Sequence, residues 1–193
     1  YDLTESGVFP LFPRELVSRE EWDDYYENLQ LRYIHTAGTW PLKESIGSYY
    51  EGVAPGNVFV TNGSAEAQFA LSWALFEPGD EIVYVTPNYM LISGLAESFN
   101  VRVKEVPLRE ENKWQLDIGD LESAVSPRTK MICICNPNNP TGTILARSSM
   151  KEIVRIAESV GAWILSDEIY RGAEHDGELT PSFWGTYDKV IVT

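Results

Sequence analysis

The sequence predicts an α/β domain: a mostly parallel sheet flanked by helices, preceded by an N-terminal arm. Three observations carry that expectation. Short β-branched apolar runs alternate with segments of helical periodicity from residue 58 onward. No repeat, low-complexity tract or long linker interrupts them. The residues with the richest side-chain chemistry fall directly after the apolar runs, where ligands sit in sheets of this kind.

The elements follow in order. Val58-Phe59-Val60-Thr61 reads as a short strand ending at Asn62-Gly63. Ala67, Ala70, Leu71, Ala74 and Leu75 share one face of the helix after it, and Pro78-Gly79-Asp80 stops that helix. Ile82-Val83-Tyr84-Val85 is the next strand, ending at Thr86-Pro87. A helix over residues 90–99 leads to a strand over 101–106. Residues 109–114 form a polar connection, 120–125 a short helix and 130–135 a strand. Met150, Ile153, Val154, Ala157 and Val160 line the face of a further helix, closed by Gly161 as a C-terminal cap. Trp163-Ile164-Leu165 is a strand running into Asp167, and residues 189–192 begin another. His175, in Glu174-His175-Asp176-Gly177, looks like a hairpin-turn residue. Residues 1–50 differ, being aromatic, acidic and broken by Pro10, Pro13 and Pro41. They read as an arm with a first helix or two, one of them over residues 43–50.

Composition narrows the function. A chain of 193 residues can build one good core, and 44% hydrophobic with 12% aromatic residues argues against disorder. The net charge of −14 argues against a nucleic-acid partner, whose phosphates need a basic surface. No apolar run approaches about 20 residues, so no membrane span is expected. Cys133 and Cys135 alternate within one strand, with no second pair to complete a metal site. Two buried thiols suit a reducing cytoplasm. The start, Tyr-Asp-Leu-Thr-Glu-Ser-Gly, is no signal peptide, and without an initiator methionine the chain is expected to be part of a longer product.

Four strand ends carry the candidate chemistry: Gly63-Ser64-Ala65, Pro87-Asn88-Tyr89, residues 136–142 and residues 167–170. Backbone N–H groups at a helix start form an anion site, Gly63 permits close approach and Ser64 adds a hydroxyl. The same Gly-Ser turn also suits a simple helix cap. Asp167, after an apolar strand, calls for a cationic or N–H partner; a pyridine nitrogen would serve, and so would a helix start capped by the aspartate itself. Tyr170 can reach the same ligand or be an ordinary packed tyrosine. Tyr89 offers a flat face for stacking, or is a loop aromatic that simply packs. Asn-Pro-Asn-Asn-Pro forces a stiff, non-helical excursion that presents Asn139.

Cys135-Asn136-Pro137-Asn138-Asn139-Pro140-Thr141-Gly142 followed by Ser166-Asp167-Glu168-Ile169-Tyr170 resembles the NPNNPTG and DE-x-Y signatures of the aspartate-aminotransferase superfamily, the fold type I enzymes that use pyridoxal 5′-phosphate. The resemblance covers essentially the whole chain. It implies that Gly63, Ser64 and Ala65 bind the cofactor phosphate and that Tyr89 stacks on the pyridine ring. Asn139 and Tyr170 would bond the ring's phenolic oxygen, and Asp167 the ring nitrogen. Tyr33 is similar to the tyrosine that reaches the phosphate in a neighbouring subunit, which implies a homodimer with shared active sites. Ser6-Gly7 resembles the stretch lying over the substrate carboxylate. On this reading residues 51–193 are an incomplete cofactor-binding domain. The family's cofactor-bearing lysine and carboxylate-clamping arginine are expected beyond Thr193, since neither Lys151 nor Lys189 has the lysine's place. His35, where relatives are expected to carry a small or polar residue, suits a proton carrier, a substrate contact or a histidine with no role.

Three functions remain open at this point. The first is an aminotransferase acting on the α-amino group of an L-amino acid. The second is elimination and cyclisation of a hydroxylated arginine, as in relatives such as capreomycidine synthase. The third is a non-catalytic binding module on the same fold.

Overall fold

The computed structural model of the protein describes residues 7, 10–175 and 177–193; Ser6 lies outside them. The chain divides into two compact units, Tyr1–His35 and Thr36–Thr193.

The first unit carries helices α1 (Pro13–Leu16) and α2 (Arg19–Asn28). Pro13 begins α1 rather than breaking a helix, because proline's fixed φ and missing N–H suit the first turn. A capping box starts α2: Ser18 Oγ accepts from Glu21 N–H at 3.2 Å, and Glu21 Oε2 accepts from Ser18 N–H at 2.8 Å. Neither helix has a buried residue, so local caps and the Arg19–Asp23 pair at 2.8 Å define them.

The second unit opens with α3 (Trp40–Gly47), which starts three residues before the expected helix because Pro41 sits in its first turn. Residues 58–61 join no sheet, which corrects the expected strand. Their backbone bonds go to neighbouring loop and turn segments instead, Val58 N–H donating to Pro55 O at 3.2 Å and Val60 N–H to Ala37 O at 3.1 Å. Helix α4 (Gly63–Leu75) follows, then β1 (Glu81–Thr86), α5 (Leu91–Ser98), β2 (Arg102–Pro107), α6 (Ile118–Ala124), β3 (Thr129–Cys135), α7 (Arg147–Val160), β4 (Trp163–Asp167) and β5 (Val190–Val192). The five strands pair in parallel in the order β2-β1-β3-β4-β5.

Parallel strands buried on both faces need helices on both, and the strand residues divide accordingly. Val83, Val85, Ile132, Ile134 and Ile164 pack on one face with Leu121 of α6 and Met150, Ile153, Ile156 and Ala157 of α7. Ile82, Tyr84, Met131, Cys133 and Leu165 pack on the other with Phe76, Ile92 and Ala96 around α5. Gly161 closes α7 as expected: its φ of 68° is the left-handed conformation that a side chain would strain.

Helix α4 departs from its expected face. Gln68 and Ser72 are its buried residues, while Ala70 and Ala74 are exposed together with Phe69 and Trp73. The buried polar side chains are paired, Ser72 Oγ donating to Gln68 O at 2.8 Å. Residues 171–189 form no hairpin among the described residues. Glu174 instead staples the loop around His175, accepting from Gly172 N–H at 2.8 Å and Thr180 N–H at 2.9 Å.

At the amino edge of the sheet, Glu81 is buried and accepts from Ser126 Oγ, Lys104 at 2.6 Å and Arg128 at 2.7 Å. Hydrogen bonds from Lys104 and Ser126 hold its carboxyl down to a pKa of about 2. A shallow depression of about 540 Å3 lies at the same edge. Its cations are already engaged: Arg128 with Glu81, Lys130 with Asp80 at 3.6 Å and Lys189 with Gly161 O at 2.8 Å. Among the described residues no helix is long and apolar enough to cross a membrane.

Candidate active site

Strand order reverses at β1: the chain leaves it for β2 on one side and returns to β3 on the other. In doubly wound sheets the connections diverge at such a point and leave a crevice at the carboxyl ends. The segments after β1, β3 and β4 meet there, and α4 joins them.

The register sets the floor of the site. Cys135 of β3 lies opposite Asp167 of β4, and Asn136 N–H donates to Asp167 O at 2.9 Å. The loop 136–142 therefore starts beside the Asp167 backbone. Its asparagines have different employments. Asn136, fully buried, donates to Pro181 O at 3.3 Å and accepts from Leu145 N–H at 3.0 Å. Asn138, also buried, donates to Pro87 O at 3.2 Å and accepts from Thr141 Oγ1 at 2.7 Å. Asn139 is half-buried, and among the described residues its side chain has no part in bonding the loop together. Two of the three amides hold the excursion in shape. The X-Pro bonds before Pro87, Pro137 and Pro140 are cis.

Asn138 also ties this loop to the one after β1. There the buried Tyr84 hydroxyl donates to Tyr89 O at 2.7 Å, and burial pushes the phenol's pKa up to about 12, so it remains a donor. The Tyr89 backbone is fixed while its ring stays exposed.

Asp167 is half-buried with two donors, one on each oxygen. Ile169 N–H reaches Oδ1 at 3.3 Å, and Gln68 Nε2 reaches Oδ2 at 3.1 Å. Burial raises its pKa, and these two hydrogen bonds oppose the rise. Among the described residues no cation pairs with it. Residues 169–172 form turns rather than a helix, so Asp167 caps no helix. Tyr170, half-buried, sits in that turn.

Glu168, next in sequence, is built in. Its Oε1 accepts from Ser166 Oγ at 2.9 Å, Ser182 Oγ at 2.9 Å and Phe183 N–H at 3.1 Å, and burial raises its pKa. Arg171 locks the far side of the turn, donating to Thr180 O at 2.9 Å and Tyr49 O at 3.0 Å and lying 4.9 Å over the Tyr50 ring.

The start of α4 supplies the donors. Gly63 has φ of 80°, with open space where a Cβ would stand. Glu66 Oε2 takes both the Asn62 N–H and, at 2.9 Å, its Nδ2. The N–H groups at Gly63, Ser64 and Ala65 belong to the first helical turn, which has no acceptors within the helix. Thus Gly63, Ser64, Ala65, Tyr89, Asn139, Asp167 and Tyr170 all lie on segments at the carboxyl edge of one sheet. Tyr33 and His35 lie in the first unit and are exposed there, as is Gly7. Sequence reasoning missed Gln68, whose polar character hid it from an apolar periodicity count. Among the described residues no cluster of His, Cys, Asp and Glu is arranged to hold a metal ion.

Comparison with known proteins agrees with this geometry. A family model for class I and II aminotransferases matches residues 27–193. Histidinol-phosphate aminotransferase 2 of Carboxydothermus hydrogenoformans is 34% identical over 142 residues, covering 73% of this chain and 38% of the relative. An aspartate aminotransferase of Pyrococcus horikoshii is 35% identical over 153 residues, covering 74% and 39%. The solved structure of a PLP-dependent aminotransferase from Streptococcus suis superimposes with a TM-score of 0.88 at 35% identity, covering 94% of this chain and 50% of that one. The chain spans about half or less of the length of these relatives.

Proposed function

The chain belongs to the class I and II aminotransferases, and from that premise we propose that the whole protein is a pyridoxal 5′-phosphate enzyme moving the amino group of an L-amino acid to an acceptor ketoacid. The single observation that carries the reading is Asp167: a desolvated carboxylate with both oxygens anchored by neutral donors and no cation beside it among the described residues. A buried charge of that kind needs a positive partner, and a protonated ring nitrogen is one.

The remaining groups fit the same ligand. Gly63, Ser64 and Ala65 would donate to its phosphate, and Tyr89 would cover its ring. Asn139, left over from the loop's own bonding, and Tyr170 would donate to its phenolic oxygen. When bound, the cofactor supplies a ring that absorbs the electron pair released as a bond at the substrate α-carbon breaks. The protein's part is to keep that ring positively charged through Asp167, to hold its oxygen in place through Asn139 and Tyr170, and to fix its phosphate. No residue of this chain is proposed for the lysine that would carry the cofactor or for the arginine that would clamp the substrate carboxylate.

A homodimer with shared sites belongs to the same proposal. It is supported by Tyr33, exposed in the Leu31-Arg32-Tyr33 segment, and by the exposed Phe69 and Trp73 of α4, which suit burial against a second copy. Ser6, Gly7 and His35 are further candidates for contact with the substrate. Cys133 and Cys135, both free and buried, support a cytoplasmic setting.

The test uses the full-length protein with added cofactor. The expected result is visible absorbance that borohydride abolishes, and conversion of L-amino acids to their ketoacids only when an acceptor is present. Absence of both cofactor binding and ketoacid overturns the proposal.

A further inference from the structure

Gln68 is 3% exposed, and its amide reaches across 99 residues of sequence to Asp167. A buried amide must be paired, so the bond by itself shows only that Gln68 is satisfied. Three further facts give it a role. Among the described residues each oxygen of Asp167 has one protein donor, Ile169 on Oδ1 and Gln68 on Oδ2, which fixes the plane of the carboxylate. The donor at 68 is neutral, so it anchors the carboxylate without cancelling its charge, as a lysine or arginine there would. Gln68 also lies one helical turn after Ser64 on the half-buried face of α4, so the helix that starts with the phosphate donors also holds Asp167.

We propose that Gln68 is a positioning residue, holding the Asp167 carboxylate so that its free lone pairs face a ring N–H. The inference rests on the cofactor reading above. Without Gln68, Oδ2 loses its only donor on α4, and the carboxylate can turn about its last torsion. The ring N–H then meets a rotating acceptor and binds less tightly. Ligand contacts made by the phosphate donors and by Tyr89 are unaffected, because Gln68 takes no part in them.

Two ligands separate this role from a structural one. Pyridoxamine 5′-phosphate has the ring nitrogen and no aldehyde, so it reports non-covalent binding. Its 1-deaza analogue has a C–H in place of the nitrogen and cannot bond Asp167. Affinities are measured by calorimetry on full-length wild type, Gln68→Met and Gln68→Asn, with thermal unfolding of each. Methionine keeps the length and removes the donor; asparagine keeps the donor but falls one methylene short, and carries the test if the methionine variant does not fold. The expected result is about a tenfold loss of affinity for pyridoxamine phosphate in the folded variants, with binding of the deaza analogue unchanged. An equal loss for both ligands, or a loss for neither, overturns the inference and leaves the cofactor reading standing. If the wild type binds neither ligand, both fall together.

Discussion

Asp167 and Glu168 are adjacent carboxylates with opposite duties. Glu168 spends one oxygen on three donors that hold residues 182–183 against the end of β4. Asp167 has only neutral donors and no cation beside it among the described residues. The two should therefore separate on mutation. Glu168→Ala leaves those donors unpaired in a buried place and should cost about 2–3 kcal/mol in urea unfolding. Asp167→Asn should leave the unfolding midpoint nearly unchanged while lowering turnover about a hundredfold or more, because it removes charge where the reaction needs it. At this scale the placement of Asp167, Tyr170 and Asn139 at or just after strand ends was legible, because each follows an apolar run. Gln68 was not legible. Its value comes from a partner far along the chain, and no local pattern records such a pairing.

At the level of elements, the loop 136–142 shows why an asparagine-rich motif is more than a set of ligand donors. Asn138 bridges two loops, and its amide replaces backbone bonding that the prolines forgo. Asn138→Ala should cost about 2 kcal/mol in thermal or urea unfolding, and it should weaken cofactor binding through the loosened Asn139. Asn139→Ala should weaken binding with little change in stability. The strands and helices read well where periodicity was clean, as in β1, β3 and α7. Residues 58–61 failed because β-propensity reports a surface able to pair, not the presence of a neighbour. The face of α4 failed because Gln68 and Ser72 are buried through hydrogen bonds, which an apolar count ignores. Pro41 was read as a breaker although its place in a first turn favours a helix.

The sheet of the second unit is pinned at its amino edge, and the candidate site lies at its carboxyl edge. Glu81 at the start of β1 pairs with Lys104 of β2 and with Arg128 ahead of β3, so one carboxylate clamps three neighbouring chain segments. Its folded pKa lies near 2, below the ordinary 4.5. A carboxyl held down in the folded state stabilises fully above its ordinary range and loses that contribution as pH falls toward 2. Glu81→Gln should therefore be about 3 kcal/mol less stable than wild type near neutral pH, with the gap closing as unfolding is measured at progressively lower pH. The doubly wound architecture was legible from element order alone. The position of the strand-order reversal was not, because only long-range pairing decides on which side of β1 the chain continues.

The Asn62–Gly63 junction gives the molecule a clock. An asparagine followed by glycine is the pair in which the next backbone nitrogen most readily attacks the side-chain amide, expelling ammonia to form a cyclic imide that water then opens to an aspartate or to its isomer with a lengthened backbone. Glu66 holds the Asn62 amide and slows that attack, yet the junction is solvent-exposed. The product would set a negative charge at the start of α4, beside the N–H groups proposed to bind the phosphate. Stored protein should thus lose phosphate-ligand affinity in step with deamidation at Asn62, followed by peptide mass spectrometry, and Asn62→Ser should age without that loss. Equal ageing of both proteins would place the damage elsewhere.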